Sequence, residues 1–351
     1  MRHNAGMNDP LSPDSSDVRG ASAAHPFTRL TPECVLDAID SVLARTGVRT
    51  DGRLLSLNSY ENRVYQVGVE DGPPVVAKFY RPQRWSDEAI LEEHAFVAEL
   101  VEAEIPAVPA RSIDGATLHT FDDFRFAVFE RRGGRAPELD RRDTLEWMGR
   151  FIGRIHAVGK RKPYVSRPTL DIAAFGYEPR EFLLAHDFLP PELRASYEAA
   201  VTLALEGVEL AFEAAGDVAH LRLHGDCHAS NVLWTDAGPH FVDFDDSRMG
   251  PAIQDLWLLL PGGREDASRA LTDLLAGYED FCEFEPRELH LIEALRTLRL
   301  IHYAAWLARR WDDPAFPAAF PWFNTQRYWE ARVLELREQI GAMLEGPLWP
   351  V

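Results

Sequence analysis

Cysteine is scarce: Cys34, Cys227 and Cys282 are the three in 351 residues, far apart and with no CxxC pair. That excludes a disulfide framework and fits a reducing compartment with all three thiols free. No apolar run reaches the roughly 18 residues needed to span a bilayer, so no membrane association is expected. The N-terminal stretch MRHNAGMNDPLSPDSSDVRG has no apolar core of the kind a signal peptide needs, so the expected compartment is the cytoplasm. Long basic runs are missing too, and with a net charge of -19 the chain repels polyanions, which argues against nucleic acid as a partner. The same acidity weighs towards a neutral or cationic partner.

What is present is an ordinary globular composition, 46% hydrophobic and 26% charged, long enough for two lobes. Residues 1–25 are rich in Ser, Asp, Ala, Gly and Pro without periodicity and are expected to form a disordered tail. TPECVLDAIDSVLARTG has a Thr cap, Pro at the first helical position and a closing Gly, a helix signature. LLSLNSYENRVYQVGVEDGPPVVAKFY predicts three antiparallel strands, SDEAILEEHAFVAELVEAE a helix capped by Ser86, and FDDFRFAVFE a further strand. RRGGR is the natural lobe boundary, and beyond Gly134 helical patterns dominate except for a β-rich island at 231–244. The expectation is an α+β chain with a small antiparallel β-rich lobe at 26–132 and a larger helical lobe at 133–351.

LRLHGDCHASNVLW, at 221–234, concentrates His, Asp, Cys and Asn between two apolar runs. A zinc pair of His224 and His228 would need both on one face, and Gly225 argues against a continuous helix there. A thiol catalyst at Cys227 has neighbouring imidazoles but no evident oxyanion device. A buried turn held by Asp and Asn side chains is the plain structural alternative. The sequel HFVDFDD weighs against these three, because it delivers Asp243, Asp245 and Asp246 at the end of an apolar strand. A loop Asp226, Asn231 five residues on and Asp243 twelve beyond it make hard oxygen ligands plus one carboxylate base, the set that Mg²⁺-dependent phosphoryl transfer needs.

His224-Gly225-Asp226 with Asn231 resembles the catalytic loop of the protein-kinase-like superfamily in its aminoglycoside phosphotransferase and choline kinase branch, and Asp243-Phe244-Asp245 resembles its metal-binding Asp-Phe-Gly, with Asp in place of Gly. Together with LNSYENRVYQ, KFYRPQRW, ILEEHAF, VDFDDSRMGPAIQDLW and AWLARRWDDPAFPAAFPW, these motifs resemble the bacterial stress response kinase A family from about residue 27 to 348. The resemblance implies a two-lobed protein-kinase-like fold, ATP and Mg²⁺, and a monomeric serine/threonine protein kinase tied to oxidative and envelope stress. It implies Asp226 as proton acceptor, Asn231 and Asp243 as Mg²⁺ ligands, and Lys78 on the phosphates with Glu93, preferred over Glu92, as its ion-pair partner. Phe129, Glu130 and Arg131 would offer backbone to adenine. No GxGxxG precedes Lys78; Ser59 and Asn62 would supply donors to the phosphates there, and Arg63 charge.

By the same match His224 packs the loop, His228 stands where protein kinases place a phosphate-contacting Lys, and Asp255 braces the loop. Cys227 reads as a small packing residue rather than a redox sensor. Arg309 and Arg310 would wall the acceptor groove, and Arg81 and Arg84 would either gather phosphate charge near Lys78 or stand as a solvated surface pair. Two rivals use the same residues: a small-molecule kinase acting on an aminoglycoside, choline-like alcohol or sugar, and an inactive kinase-like interaction module. The second normally loses the Lys, the base or the metal Asp, all present here.

Overall fold

The first helix begins at its cap. In the computed structural model, which describes residues 26–57 and 59–350, the Thr31 hydroxyl accepts the backbone N–H of Cys34 and Pro32 opens α1 (Pro32–Leu43). The expected disordered tail at 1–25 lies outside the described residues. β1 (Thr50–Leu57), β2 (Arg63–Val69) and β3 (Val75–Phe79) follow as the expected antiparallel meander. Helix α2 (Asp87–Glu102) starts where the Ser86 hydroxyl accepts the N–H of Ala89. β4 (His119–Phe121) and β5 (Phe124–Glu130) complete a five-stranded sheet of order β1-β2-β3-β5-β4.

The period of two along β3 fixes where the chemistry goes. Val75, Ala77 and Phe79 point to one face and are buried with Phe126 and Val128 against Val35, Ile39 and Val42 of α1. Val76 and Lys78 are thereby turned to the opposite face, towards the second lobe. Each Val, Leu or Ile buried on the α1 side stabilises the sheet by about 1.5–3 kcal/mol, so register slippage that would invert Lys78 is strongly disfavoured.

The second lobe is built from α3 (Arg142–Gly159), α4 (Glu178–Ala185), α5 (Pro191–Ala215), β6 (Leu221–Arg222), the hairpin β7 (Val232–Thr235) and β8 (Gly238–Phe241), β9 (Met249–Gly250), α6 (Ile253–Trp257), α7 (Arg264–Tyr278), α8 (Ile292–Arg309), α9 (Ala315–Ala319) and α10 (Gln326–Leu344). Helices α3 and α7 touch backbone to backbone. A Cβ on Gly149 would lie 1.9 Å from the Leu274 carbonyl oxygen, and one on Gly277 would lie 1.9 Å from that of Glu146. Phe96, Val97 and Leu100 of α2 join this lobe's core, so the helix belongs to both halves. This is the two-lobed α+β arrangement that the sequence predicts.

Candidate active site

Gly225 makes the 224–231 loop possible. Its φ is +88°, and a Cβ there would sit 2.1 Å from the Asp246 carbonyl oxygen. The loop is held by Asp255 of α6, fully buried, whose carboxylate accepts the N–H of His224 at 2.7 Å and of Gly225 at 2.8 Å. Asp255 lies 3.0 Å from His156 Nε2, and His156 Nδ1 lies 2.9 Å from the Tyr278 hydroxyl, which carries the brace back through α3 to α7. His224 Nε2 lies 2.9 Å from the Val242 carbonyl and the ring packs on Phe244, a packing role.

Asn231 Nδ2 donates to the Asp226 carbonyl at 3.0 Å, and Val242 N–H donates to the Asn231 carbonyl at 3.0 Å, so the loop lies alongside the strand end that carries Asp243. Asp243 has φ 61° and ψ 63°, a left-handed conformation uncommon for a residue with a side chain, and its side chain is 50% exposed. Asp226 Oδ1 accepts from Arg299 Nη1 at 2.7 Å, and Oδ2 lies 3.3 Å from His228 Nε2. Desolvation opposes ionisation of Asp226, but the His228 contact and the Arg299 charge outweigh it and hold the carboxyl well below the usual carboxylate range.

Lys78, buried, lies 2.9 Å from Asp243 Oδ1 and 3.1 Å from Asp245 Oδ1. Burial disfavours its charge, yet Asp243, Asp245 and Glu93 together raise its pKa above the ordinary lysine value. The expected Lys78–Glu93 ion pair is not what forms. Glu93 Oε2 takes Arg167 Nη2 at 3.0 Å, both groups being buried. Each buried charge needs a partner at contact distance, and Lys78 finds its own across the cleft; burial raises the Glu93 pKa, with Lys78 and Arg167 offsetting part of that. Glu92, the alternative, accepts the backbone N–H of Val165, Ser166 and Arg167 at 2.7, 2.8 and 3.0 Å and pins α2 to the second lobe.

Two cavities meet at this point. One, of about 360 Å³, lies between the lobes and is lined by Ser59, Lys78, Glu93, Glu130, Asn231 and Asp243, with an apolar wall that includes Val64, Val76 and Phe244. The other, of about 540 Å³, is lined by Asp226, His228, Arg299 and the face of α8 that carries His302, Tyr303 and Trp306. Ser59 and Asp243 line both. Ser59, Lys78, Glu93, Glu130, Asp226, Asn231 and Asp243 therefore all border this pair of cavities, whereas Asn62, Arg63, Arg81 and Arg131 line neither.

The expectations for Arg63, Arg81, Arg84 and Asn62 fail on the same ground of pairing. Arg63 is bound to Asp313 at 2.8 Å, and Arg81 to Glu61 at 3.0 Å and Asp313 at 2.8 Å, so neither is held for phosphate. Arg84 bonds to Asp245 and to Asp246, the latter at 2.8 Å. With burial opposing and Arg84 prevailing, Asp245 and Asp246 are both held down to about 2. Asn62 is buried and accepts the Arg81 N–H at 3.0 Å. Cys227 is buried and its thiol pKa is pushed well up by desolvation, which suits packing rather than redox sensing.

The turn that occupies the place of the absent glycine-rich loop is tied down across the cavity. Glu61 lies 2.6 Å from Arg310 Nε and accepts from Trp306 Nε1, Asp313 takes Arg63 and Arg81, and the Tyr60 ring meets Phe320 edge-on at 4.8 Å. Arg299, Arg167, Glu61 and Asp313 were not singled out as site residues from the sequence. Arg299 carried a signal nonetheless, since 295, 299, 302, 303, 306 and 310 share one helical face. Lys78 carried another: the sequence contains only three lysines, 78, 160 and 162, among 37 basic residues, so lysine at the cleft is a selective choice.

Comparison with known proteins bears on the family and the fold. The profile described as "APH: Phosphotransferase enzyme family" matches residues 53–292. "Stress response kinase A" of Salmonella choleraesuis (strain SC-B67) is 44% identical over 325 residues, 93% of this chain and 97% of the relative. "Serine/threonine protein kinase RdoA" of Salmonella typhimurium (strain LT2) is 43% identical over 325 residues, again 93% and 97%. "Stress response kinase A" of Escherichia coli (strain K12) is 43% identical over 327 residues, 93% and 98%. Among solved structures, amicoumacin kinase hAmiN in complex with AMP-PNP, Ca²⁺ and Ami superposes with a TM-score of 0.65 at 19% identity, over 86% of this chain and 90% of that one. Spectinomycin phosphotransferase APH(9)-Ia, in complex with ADP and spectinomycin, superposes with a TM-score of 0.59 at 13% identity, over 88% and 98%; both bear on the fold alone.

Proposed function

The chain belongs to the phosphotransferase enzyme family and, within it, to the stress response kinase A family, and from that premise we propose that it transfers the γ-phosphoryl group of ATP to a serine or threonine hydroxyl of a protein. The observation that carries this reading is the meeting of the two cavities at Asp243, with Asp226 facing only the larger one and Lys78 and Asn231 only the smaller. A nucleotide in the smaller cavity has an apolar wall for its base and Lys78 for its phosphates. An acceptor hydroxyl in the larger one reaches Asp226, held ionised by Arg299 and His228, which orients the hydroxyl and accepts its proton.

The donor set suits Mg²⁺. Asn231 spends its amide N–H on the Asp226 carbonyl, which leaves the amide oxygen for the cleft, and Asp243 is half-exposed. Among the described residues no group of three or more His, Cys, Asp or Glu side chains forms a metal cage. A hard cation that takes one or two protein oxygens beside nucleotide phosphates fits such a site. Asn231 and Asp243 would hold it, and it would neutralise phosphate charge during transfer.

Monomeric action in the cytoplasm under oxidative or envelope stress is part of the same proposal. Among the described residues no helix is long and apolar enough to cross a membrane. The test is Asp226→Asn assayed with labelled ATP. Phosphoryl transfer should fall roughly 100- to 10,000-fold while nucleotide affinity holds. Turnover near wild type would refute the role of Asp226, and label confined to a low-mass alcohol would replace the protein acceptor with a small one.

A further inference from the structure

The larger cavity has a charge pattern opposite to that of the whole chain. Its lining includes four carboxylates, Glu61, Asp226, Asp243 and Asp246. Three of them are claimed by cations of the fold. Glu61 lies 3.0 Å from Arg81 and 2.6 Å from Arg310; Asp246 lies 2.8 Å from Arg84 and 2.8 Å from Arg248; Asp243 lies 2.9 Å from Lys78. The fourth, Asp226, is the group that meets the reacting hydroxyl. No carboxylate is left over to receive a cationic acceptor.

The cations are not all spent. Of the five arginines that line the cavity, Arg84, Arg248 and Arg310 answer the structural carboxylates just named, and Arg299 has Asp226 alone as its carboxylate partner among the described residues. Arg309, exposed and the last residue of α8, makes no ion pair at contact distance among the described residues; the Glu178 carboxylate acts on its charge from further away, and its guanidinium rests 4.9 Å above the Phe182 ring. His302, between them on the same helix, is kept neutral because burial lowers its pKa to about 3. The open charge in the cavity is therefore positive and sits at Arg309, at the C-terminal end of α8.

Resting on the protein kinase reading, we propose that the acceptor is a Ser/Thr segment with an acidic side chain near the phosphorylated residue, whose carboxylate is received by Arg309 while the hydroxyl lies at Asp226 and Arg299. This reverses the expectation drawn from net charge, which favoured a neutral or cationic acceptor. The ten residues from Arg299 to Arg309 span about 15 Å of helix, and an extended peptide advances about 3.3 Å per residue. With the reach of the arginine side chain, the acidic residue belongs roughly two to five positions from the acceptor.

The experiment uses the full chain with Mg-ATP and peptides that share one serine in a neutral frame, with Glu, Gln or Lys placed two to five positions to either side. In at least one register the Glu peptide should have a KM about tenfold below its Lys counterpart. Arg309→Glu should reverse that order, and Arg309→Gln should remove most of the difference. Labelling that ignores peptide charge, a Lys preference, or a Glu preference unaltered in both Arg309 variants would overturn the proposal and leave the kinase reading standing. Label on no peptide or protein, with a low-mass alcohol labelled instead, would overturn both.

Discussion

Asp255→Asn perturbs the catalytic loop without touching a substrate. In the native chain one carboxylate oxygen accepts the Gly225 N–H at 2.8 Å, while the other accepts the His224 N–H at 2.7 Å and lies 3.0 Å from His156 Nε2. An amide keeps one acceptor. Placed to serve His224 and His156, it directs its NH₂ at the Gly225 N–H, so one charge-assisted bond is lost and two donors confront each other in a fully buried site. A hydrogen bond to a charged group contributes about 1.5–3 kcal/mol and an unsatisfied buried donor costs about 1–3 kcal/mol. Allowing for relaxation, the variant should be about 2–4 kcal/mol less stable, read from urea unfolding at constant m-value. A displacement of Asp226 by even 1 Å should also reduce kcat on the order of 100-fold, while nucleotide affinity, set mainly at Lys78 and the apolar wall, changes little. A variant within 0.5 kcal/mol of wild type and with native kcat would refute the bracing role.

Gly225→Ala forces a Cβ to within 2.1 Å of a carbonyl oxygen at φ +88°. We expect about 3 kcal/mol or more of lost stability and a collapse of kcat, measured by urea unfolding and steady-state assay; a soluble, active variant would contradict it. Glu288 is 2% exposed and accepts the Ile253 N–H at 2.8 Å; desolvation raises its carboxyl to about 7 from an ordinary 4.5. A raised pKa means the folded state favours the protonated form, so this contribution is complete below pH 4.5 and is lost as pH rises through 7. The loss is roughly 3 kcal/mol. Unfolding at pH 5 and pH 8 should show it in wild type and a flatter dependence in Glu288→Gln; equal slopes would refute it.

The elements that were legible in the sequence are those set by local chemistry. Thr31 and Ser86 act as caps, Val75 to Phe79 alternate as a strand, and Gly225 breaks the loop where a helix would otherwise run. The proposed base and metal set was legible because its three members lie within 18 residues, from 226 to 243. Ion-pair partners were not. Arg167 reaches Glu93 across 74 residues, and Asp313 reaches Arg63 across 250, and nothing in local spacing encodes such contacts. Net charge misled for a related reason, since 56 acidic residues spread over the whole chain say nothing about which of them arginines have already claimed inside one cavity.

The tether from Glu61 to Arg310 and Trp306, with Asp313 holding Arg63 and Arg81, makes the turn that carries Tyr60 and Glu61 a roof over the larger cavity, where the proposed acceptor would lie. A substrate that lifts this roof must first part charges that satisfy one another, and one that seats beneath it stiffens the turn its neighbour leans on. Under the proposed function the two ligands would be linked through a handful of arginines, so that occupancy of either chamber would be felt in the other.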